Sequence, residues 1–414
     1  MVKLPYSLAV TDSTLKETIM QNEYLDRQRA IQMRLAGDSI ELICRSLHRS
    51  IAWFNKWWRR YLESGSEGLY DITRARHVIV NRTPAHVERA ILSIRRRLSA
   101  RATPQTRYAL LGAPAIAQEL RQLGISPLPT LRTIERILER AHVTSPRLRF
   151  AHRIPKTQYP MPKADDSNEV HQVDLVGPRY LKGDKTKYYF YICKDAFDQQ
   201  IYVEFWAGNS MDIVLDFLVC AWQRMGLPQH VQFDNGRQFY APGRYSRSLN
   251  RVVRFCLRLG IQPIFIPEAQ PQRNGSVENF NGWFQPLLLR QTFKNTVAVR
   301  RELRHLLTSV NETHTHQSLG FKTSAQFRRT KRLRMLPANF HIDFDHLPVA
   351  LGKVILIRMV NPQGRVSILD EPVKIGIRYR YQYVKVVLET HPQRLKVYCN
   401  GRLMKSIAFP LRIS

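Results

Sequence analysis

From Leu25 to Leu35 apolar residues recur every three or four positions, and Gly37 stops the pattern, which predicts a helix. Asp38 and Ser39 can cap a second helix, with Glu41 three residues after Asp38 as in a capping box and Ile40, Ile43 and Leu47 turned inward. Ser50 is placed to cap a third, in which Ile51, Phe54, Trp58 and Tyr61 make the apolar stripe beside Lys56, Arg59 and Arg60. Three short helices with a tight turn between the last two predict a helix-turn-helix over residues 15–64. Beyond a Gly- and Ser-rich linker, Thr83-Pro84 opens another helix, with Thr as cap and Pro in its first turn. Val87, Ile91, Ile94 and Leu98 form its buried side. A loop over 99–112, a helix Ala115–Leu123 closed by Gly124 and a helix Thr130–Arg140 complete a second helix-turn-helix over residues 80–142.

Residues 143–167 hold Pro146, Pro155, Pro160 and Pro162 among basic residues and read as an extended linker. At Val170 the period shortens to that of strands. Val170–Val176, Tyr188–Cys193 and Gln200–Trp206 are runs of β-formers, followed by a helix Met211–Met225 and a strand at 230–234. A helix over 247–259, a strand at 261–266, the helix bearing Glu278 and a helix over 300–312 come next. This order predicts a mixed α/β sheet in a domain spanning 168–318. A linker over 319–342 includes Arg328-Arg-Thr-Lys-Arg-Leu-Arg334, which reads as phosphate-contacting. Residues 343–414 predict a small all-β barrel of SH3-like size. In it Val354–Val360 and Arg365–Leu369 flank Asn361-Pro-Gln-Gly364, and Lys396–Cys399 and Arg402–Ile407 flank the hairpin signal Asn400-Gly401.

Charge turns this multidomain outline toward nucleic acid. Lys+Arg number 64 against Asp+Glu 33, a net charge of +31, which calls for a polyanionic partner. The first helix-turn-helix would offer Arg49, Ser50, Trp53, Asn55 and Lys56 to DNA, and the second Arg132, Arg136 and Arg140. The 5 cysteines are scattered and never spaced Cys-x-x-Cys, as expected of buried thiols in a reducing compartment. No stretch is long and apolar enough for a membrane span, so the expectation is a cytoplasmic protein without a membrane partner.

Three acids carry the candidate chemistry. Asp174 interrupts the valine-rich strand His171-Gln-Val-Asp-Leu-Val-Gly177, where a charge is costly without a partner. Asp234 ends the strand of Val231-Gln-Phe-Asp-Asn-Gly236. Glu278 lies early in a helix whose polar side holds Asn274, Glu278, Asn281 and Gln285, while Val277, Phe280 and Phe284 can anchor it to a sheet. Adjacent strands can bring the two aspartates side by side, with Glu278 reaching in. Three such carboxylates repel one another unless a cation offsets them, and oxygen-only ligation suits Mg²⁺, with Mn²⁺ as a substitute, rather than zinc. Two ions of this kind can serve phosphoryl transfer to water or a DNA 3′-hydroxyl. Asp195 and Asp198 read as turn residues.

The set Val173-Asp174, Phe233-Asp-Asn-Gly236 and Pro271-Gln-x-Asn-Gly-x-x-Glu278-x-x-Asn281 closely resembles the retroviral-integrase-like DDE transposases of bacterial insertion sequences. Asn311-Glu-Thr-His-Thr-His316-Gln-Ser-Leu-Gly320 looks like the stretch that follows their catalytic domain, and Gly112–Ile116 with Thr130–Ile134 like their second helix-turn-helix. The resemblance implies an RNase H-like catalytic fold in which Asp174, Asp234 and Glu278 bind metal and catalyse, supported by Asn235, Asn274 and Asn281. It further implies cleavage at transposon ends and strand transfer into target DNA by a homo-oligomer, with an accessory transposition protein as a further partner. The chain departs from that pattern in a longer Asp234–Glu278 interval, with the excess at Tyr240–Asn250. It also has Ser324 where Pro is common, and lacks a His/Cys zinc module. Two rival functions are a helix-turn-helix DNA-binding regulator with an inactive core and a metal-dependent nuclease without strand transfer.

Overall fold

The computed structural model describes residues 12–71, 82–144, 159–160, 163–240, 245–267, 270 and 274–412. Most of the expected 143–167 linker, the motif residues 271–273 and positions 241–244 of the long loop lie outside this set. The chain divides after Arg82 into two units. Among the described residues no helix is long and apolar enough to cross a membrane.

The first unit contains α1 (Asp12–Leu35), α2 (Ile40–Ser46) and α3 (Ile51–Ser64). Ser39 caps α2 by accepting the Leu42 N–H, and Ser50 caps α3 by accepting the Trp53 N–H at 3.1 Å. Phe54 and Trp57 are the buried residues of α3, whereas Ile51 is half exposed. The buried stripe is therefore rotated from the one the spacing predicts. Arg27 stacks 3.8 Å from the Trp57 ring and donates to the Leu69 carbonyl, so its cation covers the aromatic face.

The second unit begins with α4 (Ala85–Ala100), α5 (Pro104–Arg107), α6 (Ala113–Gln122) and α7 (Leu131–Arg140). Pro84 occupies the cap of α4 without a side-chain bond, so Thr83 does not perform the expected capping. Helix α5 lies within the span expected to be a loop. It is too short for periodicity to mark, and Thr103 and Thr106 cap it reciprocally. Directly after it Tyr108 is wholly buried in the α/β core, where its hydroxyl donates to Glu302 at 2.8 Å. Arg107 donates to both Glu302 oxygens, and His314 bonds the Tyr108 carbonyl.

The core sheet is built from β1 (Val170–Arg179), β2 (Tyr188–Asp195), β3 (Ile201–Ala207), β4 (His230–Phe233) and β5 (Gln262–Phe265). The first three pair antiparallel, while β1–β4 and β4–β5 are parallel. Alternation along β2 separates two cores. Tyr191 and Cys193 pack with α8 (Met211–Met225); the short α9 (Arg237–Tyr240) and α10 (Arg251–Arg258) contribute Phe239, Val252 and Phe255 to this side. Phe190 and Ile192 pack on the other face with α11 (Gly275–Leu288) and α12 (Thr296–Thr308).

Beyond α12 the short pair β6 (Thr315–His316) and β7 (Lys322–Thr323) leads to α13 (Ser324–Arg328). Here the expected phosphate-contacting run is corrected at its first residue. Arg328 is buried and lies 2.7 Å from both Asp195 and Asp198, which are buried acids rather than simple turn residues. Burial would raise the pKa of Asp195, but the hydrogen bond and charge of His171 and the charge of Arg328 hold it below the usual carboxylate range. Ser324 donates to the Asp198 carbonyl at 2.7 Å, closing α13 onto the same turn.

The last strands are β8 (Lys353–Met359), β9 (Arg365–Ile368), β10 (Glu371–Lys374), β11 (Tyr383–Glu389), β12 (Arg394–Cys399) and β13 (Arg402–Ala408). Instead of a separate barrel, β8 joins β5 in parallel, pairing Ile264 with Ile355 and Phe265 with Leu356. One sheet of nine strands results, ordered β13-β12-β11-β8-β5-β4-β1-β2-β3, with β9–β10 as a side hairpin. The reason is in β8 itself. Val354–Arg358 is buried without interruption, the pattern of a strand covered on both faces, not the alternation of a barrel wall.

Candidate active site

Gln172 of β1 pairs with Gln232 of β4, and Asp174 and Asp234 follow each by two residues. Side chains two apart share a face of a strand, so both carboxylates emerge on the same side of the sheet where β4 ends. Asp174 accepts a short hydrogen bond from Asn281 Nδ2 on α11. Asp234 accepts the Gly236 N–H at 2.8 Å, which closes the turn after β4. Among the described residues neither aspartate has a Lys or Arg ion partner.

The electrostatics follow from that lack of compensation. Burial, and then the charges of Asp234 and Glu278, push Asp174 up to about 6. Burial also raises Asp234 and Glu278. Asp174 thus lies within the field of Asp234 and Glu278, and among the described residues no Lys or Arg pairs with it.

Among the described residues the Glu278 side chain has no hydrogen-bond partner of its own, and its helix holds it in place. Gln232 donates to Asn274 Oδ1 at 2.9 Å, Asn274 donates to the Val173 carbonyl at 3.2 Å, and Gln172 Oε1 accepts the Val277 N–H at 3.1 Å. Lys194, opposite Gln172 on β2, donates to the Ser276 carbonyl at 2.8 Å. Gln172, Gln232 and Asn274 are all buried, so this ladder ties the first turn of α11 to the strands that carry the aspartates. Val277, Phe280 and Phe284 fasten the helix from below. Of the three asparagines expected to support the site, Asn281 touches Asp174, Asn274 belongs to the ladder, and Asn235 donates to the Ile266 carbonyl at the end of β5. Gln172, Gln232 and Lys194 escape the sequence reading. The signal for the two glutamines is a polar residue two positions before an aspartate in a largely apolar strand; Lys194 has no such mark.

Among the described residues no three carboxylate, histidine or cysteine side chains are gathered closely enough to hold a metal. The donor set nonetheless fits a hard divalent cation, because Asp174, Asp234 and Glu278 offer only oxygens and their charge is uncompensated.

The expected DNA contacts fall into two groups. Asn55, Lys56 and Arg136 are exposed. The Ser50 hydroxyl serves as a cap, Arg49 bonds Asp26 and lies near Trp53, and Trp53 is half buried against Phe54 and Trp57. Arg132 pairs with Glu135 and Glu139, and Arg140 with Glu88, all at the surface.

Residues 164–271 match the family model described as the integrase core domain, a span that includes Asp174 and Asp234 and stops short of Glu278. Among solved structures the chain is similar to the HTLV-2 integrase catalytic core domain in complex with magnesium, with 21% identity over 39% of this chain and 96% of that one and a TM-score of 0.30. A simian T-cell lymphotropic virus intasome aligns at 16% identity over 71% and 99%, with a TM-score of 0.35. The BIV integrase catalytic core domain aligns at 18% over 40% and 95%, with a TM-score of 0.30.

Proposed function

We propose, from the match of residues 164–271 to the integrase core domain, that the protein is a DDE transposase of a bacterial insertion sequence. In this reading it is a polynucleotidyl transferase that cuts the ends of its element and joins them to target DNA. The observation that carries it is the register of Gln172 with Gln232, which sets Asp174, within β1, and Asp234, just past the end of the parallel β4, on one side of the sheet, with the helix of Glu278 tied to those same strands.

Asp174, Asp234 and Glu278 would hold two Mg²⁺ ions, or Mn²⁺ in their place. When bound, such ions supply activation of the attacking oxygen and stabilisation of the leaving one. Asn281 orients Asp174 by donating to one of its oxygens. The Gln172–Gln232–Asn274 ladder keeps Glu278 from drifting relative to the aspartates. Helices α3 and α7, with Asn55, Lys56 and Arg136 outward, would track the end DNA, and the surplus of 64 basic over 33 acidic residues would hold its backbone. Synapsis of two ends calls for a homo-oligomer, and an accessory transposition protein is compatible with this scheme.

The test is a supercoiled plasmid carrying the coding sequence with its native flanking DNA, incubated with protein and Mg²⁺ beside the Glu278→Gln variant. Expected are nicks at the element boundaries and joined products from the unaltered protein, and neither from the variant. DNA binding without nicking would favour a regulator, and nicking without joining a nuclease.

A further inference from the structure

Strand β8 links the C-terminal segment to the sheet, and its Arg358 is almost fully buried at 4% exposure. The guanidinium donates through one terminal nitrogen to the Ile266 carbonyl at 3.1 Å and through the other to Asn235 Oδ1 at 2.9 Å. Asn235 donates to the same Ile266 carbonyl. Asn235 immediately follows Asp234 at the exit of β4. Ile266 immediately follows β5 and opens the segment that runs on to α11 and Glu278. The Tyr240 ring lies 5.0 Å from the guanidinium carbon, and its hydroxyl accepts the Leu369 N–H at 2.9 Å.

Among the described residues no carboxylate forms an ion pair with Arg358. Its charge is met by carbonyls, one amide oxygen and an aromatic face. A buried cation persists only when its donors are used, and a planar fork can span two fixed acceptors where an ammonium cannot match both.

We propose that Arg358 is a positioning residue for the active site, acting through Asn235 and Ile266. By tying the exits of β4 and β5 together it holds Asn235, and with it Asp234, in fixed relation to the end of β5. The C-terminal strands are then part of the catalytic structure and not an appended arm. This inference rests on the phosphoryl-transfer reading above.

The full chain is compared with Arg358→Met, Arg358→Lys and Asn235→Ala. Mn²⁺ affinity is read from the paramagnetic resonance of the free ion, plasmid nicking from a single turnover, and duplex affinity from anisotropy. Arg358→Met and Asn235→Ala are expected to weaken Mn²⁺ binding and slow nicking about 100-fold, with duplex affinity unchanged. Arg358→Lys, which keeps the charge and loses the fork, is expected to recover only part of the rate. A folded Arg358→Met with wild-type Mn²⁺ affinity and rate overturns the proposal, and so does full recovery by lysine, which would assign the effect to charge. If Arg358→Met does not fold, Asn235→Ala decides, since it leaves the arginine in place. A wild-type protein that neither binds Mn²⁺ nor nicks DNA overturns the phosphoryl-transfer reading and this inference together.

Discussion

The Arg328 guanidinium lies 2.7 Å from the Asp195 carboxylate, and both side chains are almost wholly removed from water. The first cation of a basic run is thereby turned inward to clamp α13 to the end of β2. Removing it would strand Asp195 and Asp198 as buried acids. Arg328→Ala is expected to cost about 3–5 kcal/mol in urea unfolding, because a buried charge without its partner keeps its full desolvation penalty. Arg329→Ala, at an exposed position, serves as the comparison. Equal midpoints for the two variants would contradict the clamp.

Asp174 gives a pH dependence whose sign can be worked out. Its folded-state value, about 6, lies above the ordinary carboxylate value of about 3.9. The folded state therefore binds the proton more tightly, and this contribution to stability is present below pH ~4 and lost as pH rises through ~6. In chelator, Asp174→Asn should be more stable than wild type at pH 7.5 by up to about 3 kcal/mol, with the gap closing at pH 4. A gap that stays constant across this range would refute the account.

The buried amide ladder makes a kinetic prediction. Gln172→Leu removes the acceptor of the Val277 N–H and leaves that donor buried. Nicking in a single turnover is expected to fall about 100-fold, as for a modest displacement of a catalytic group, while duplex affinity holds. Loss of duplex affinity in parallel with rate would point instead to general unfolding.

His314 titrates in the opposite sense. Burial holds it down to about 4, so the neutral ring that bonds the Tyr108 carbonyl is favoured in the folded state. That contribution is complete above pH ~6.5 and is lost as pH falls toward ~4, with a ceiling of roughly 3 kcal/mol. Unfolding of wild type and His314→Gln followed from pH 7 to 4 should converge as the pH drops. Curves that run parallel would show that His314 does not couple the Tyr108 segment to the core.

Surface charge predicts a salt effect. Lys56→Ala and Arg136→Ala should each weaken duplex binding and reduce the log–log salt slope by about 0.9 if each neutralises one phosphate. Anisotropy titrations at several salt concentrations check this. An unchanged slope for either variant would remove that residue from the DNA-facing surface.

Much of the local structure was legible in the residue order, because local physics decides it. Helix Met211–Met225 has the bounds its periodicity predicts, Ser50 and Thr130 cap the helices they precede, and Val87, Ile91, Ile94 and Leu98 are buried as their spacing requires. Asp174 stood out as an acid in a valine-rich strand, and Glu278 by its place above Val277, Phe280 and Phe284.

Sequence alone thus determined most of the longer elements, the charge balance and the three candidate acids, all properties of spacing and composition. Tertiary structure decided what those residues touch. The burial of Arg328, the seat of Tyr108 against Glu302 and the Gln172–Val277 bond each join positions far apart in the chain, and nothing local tells which partner each will meet. It also decided that β8 adds to β5 and so brings Arg358 to Asn235. A strand's apolar pattern tells that it will be covered, but its neighbour is chosen by the free edge that the folded sheet presents.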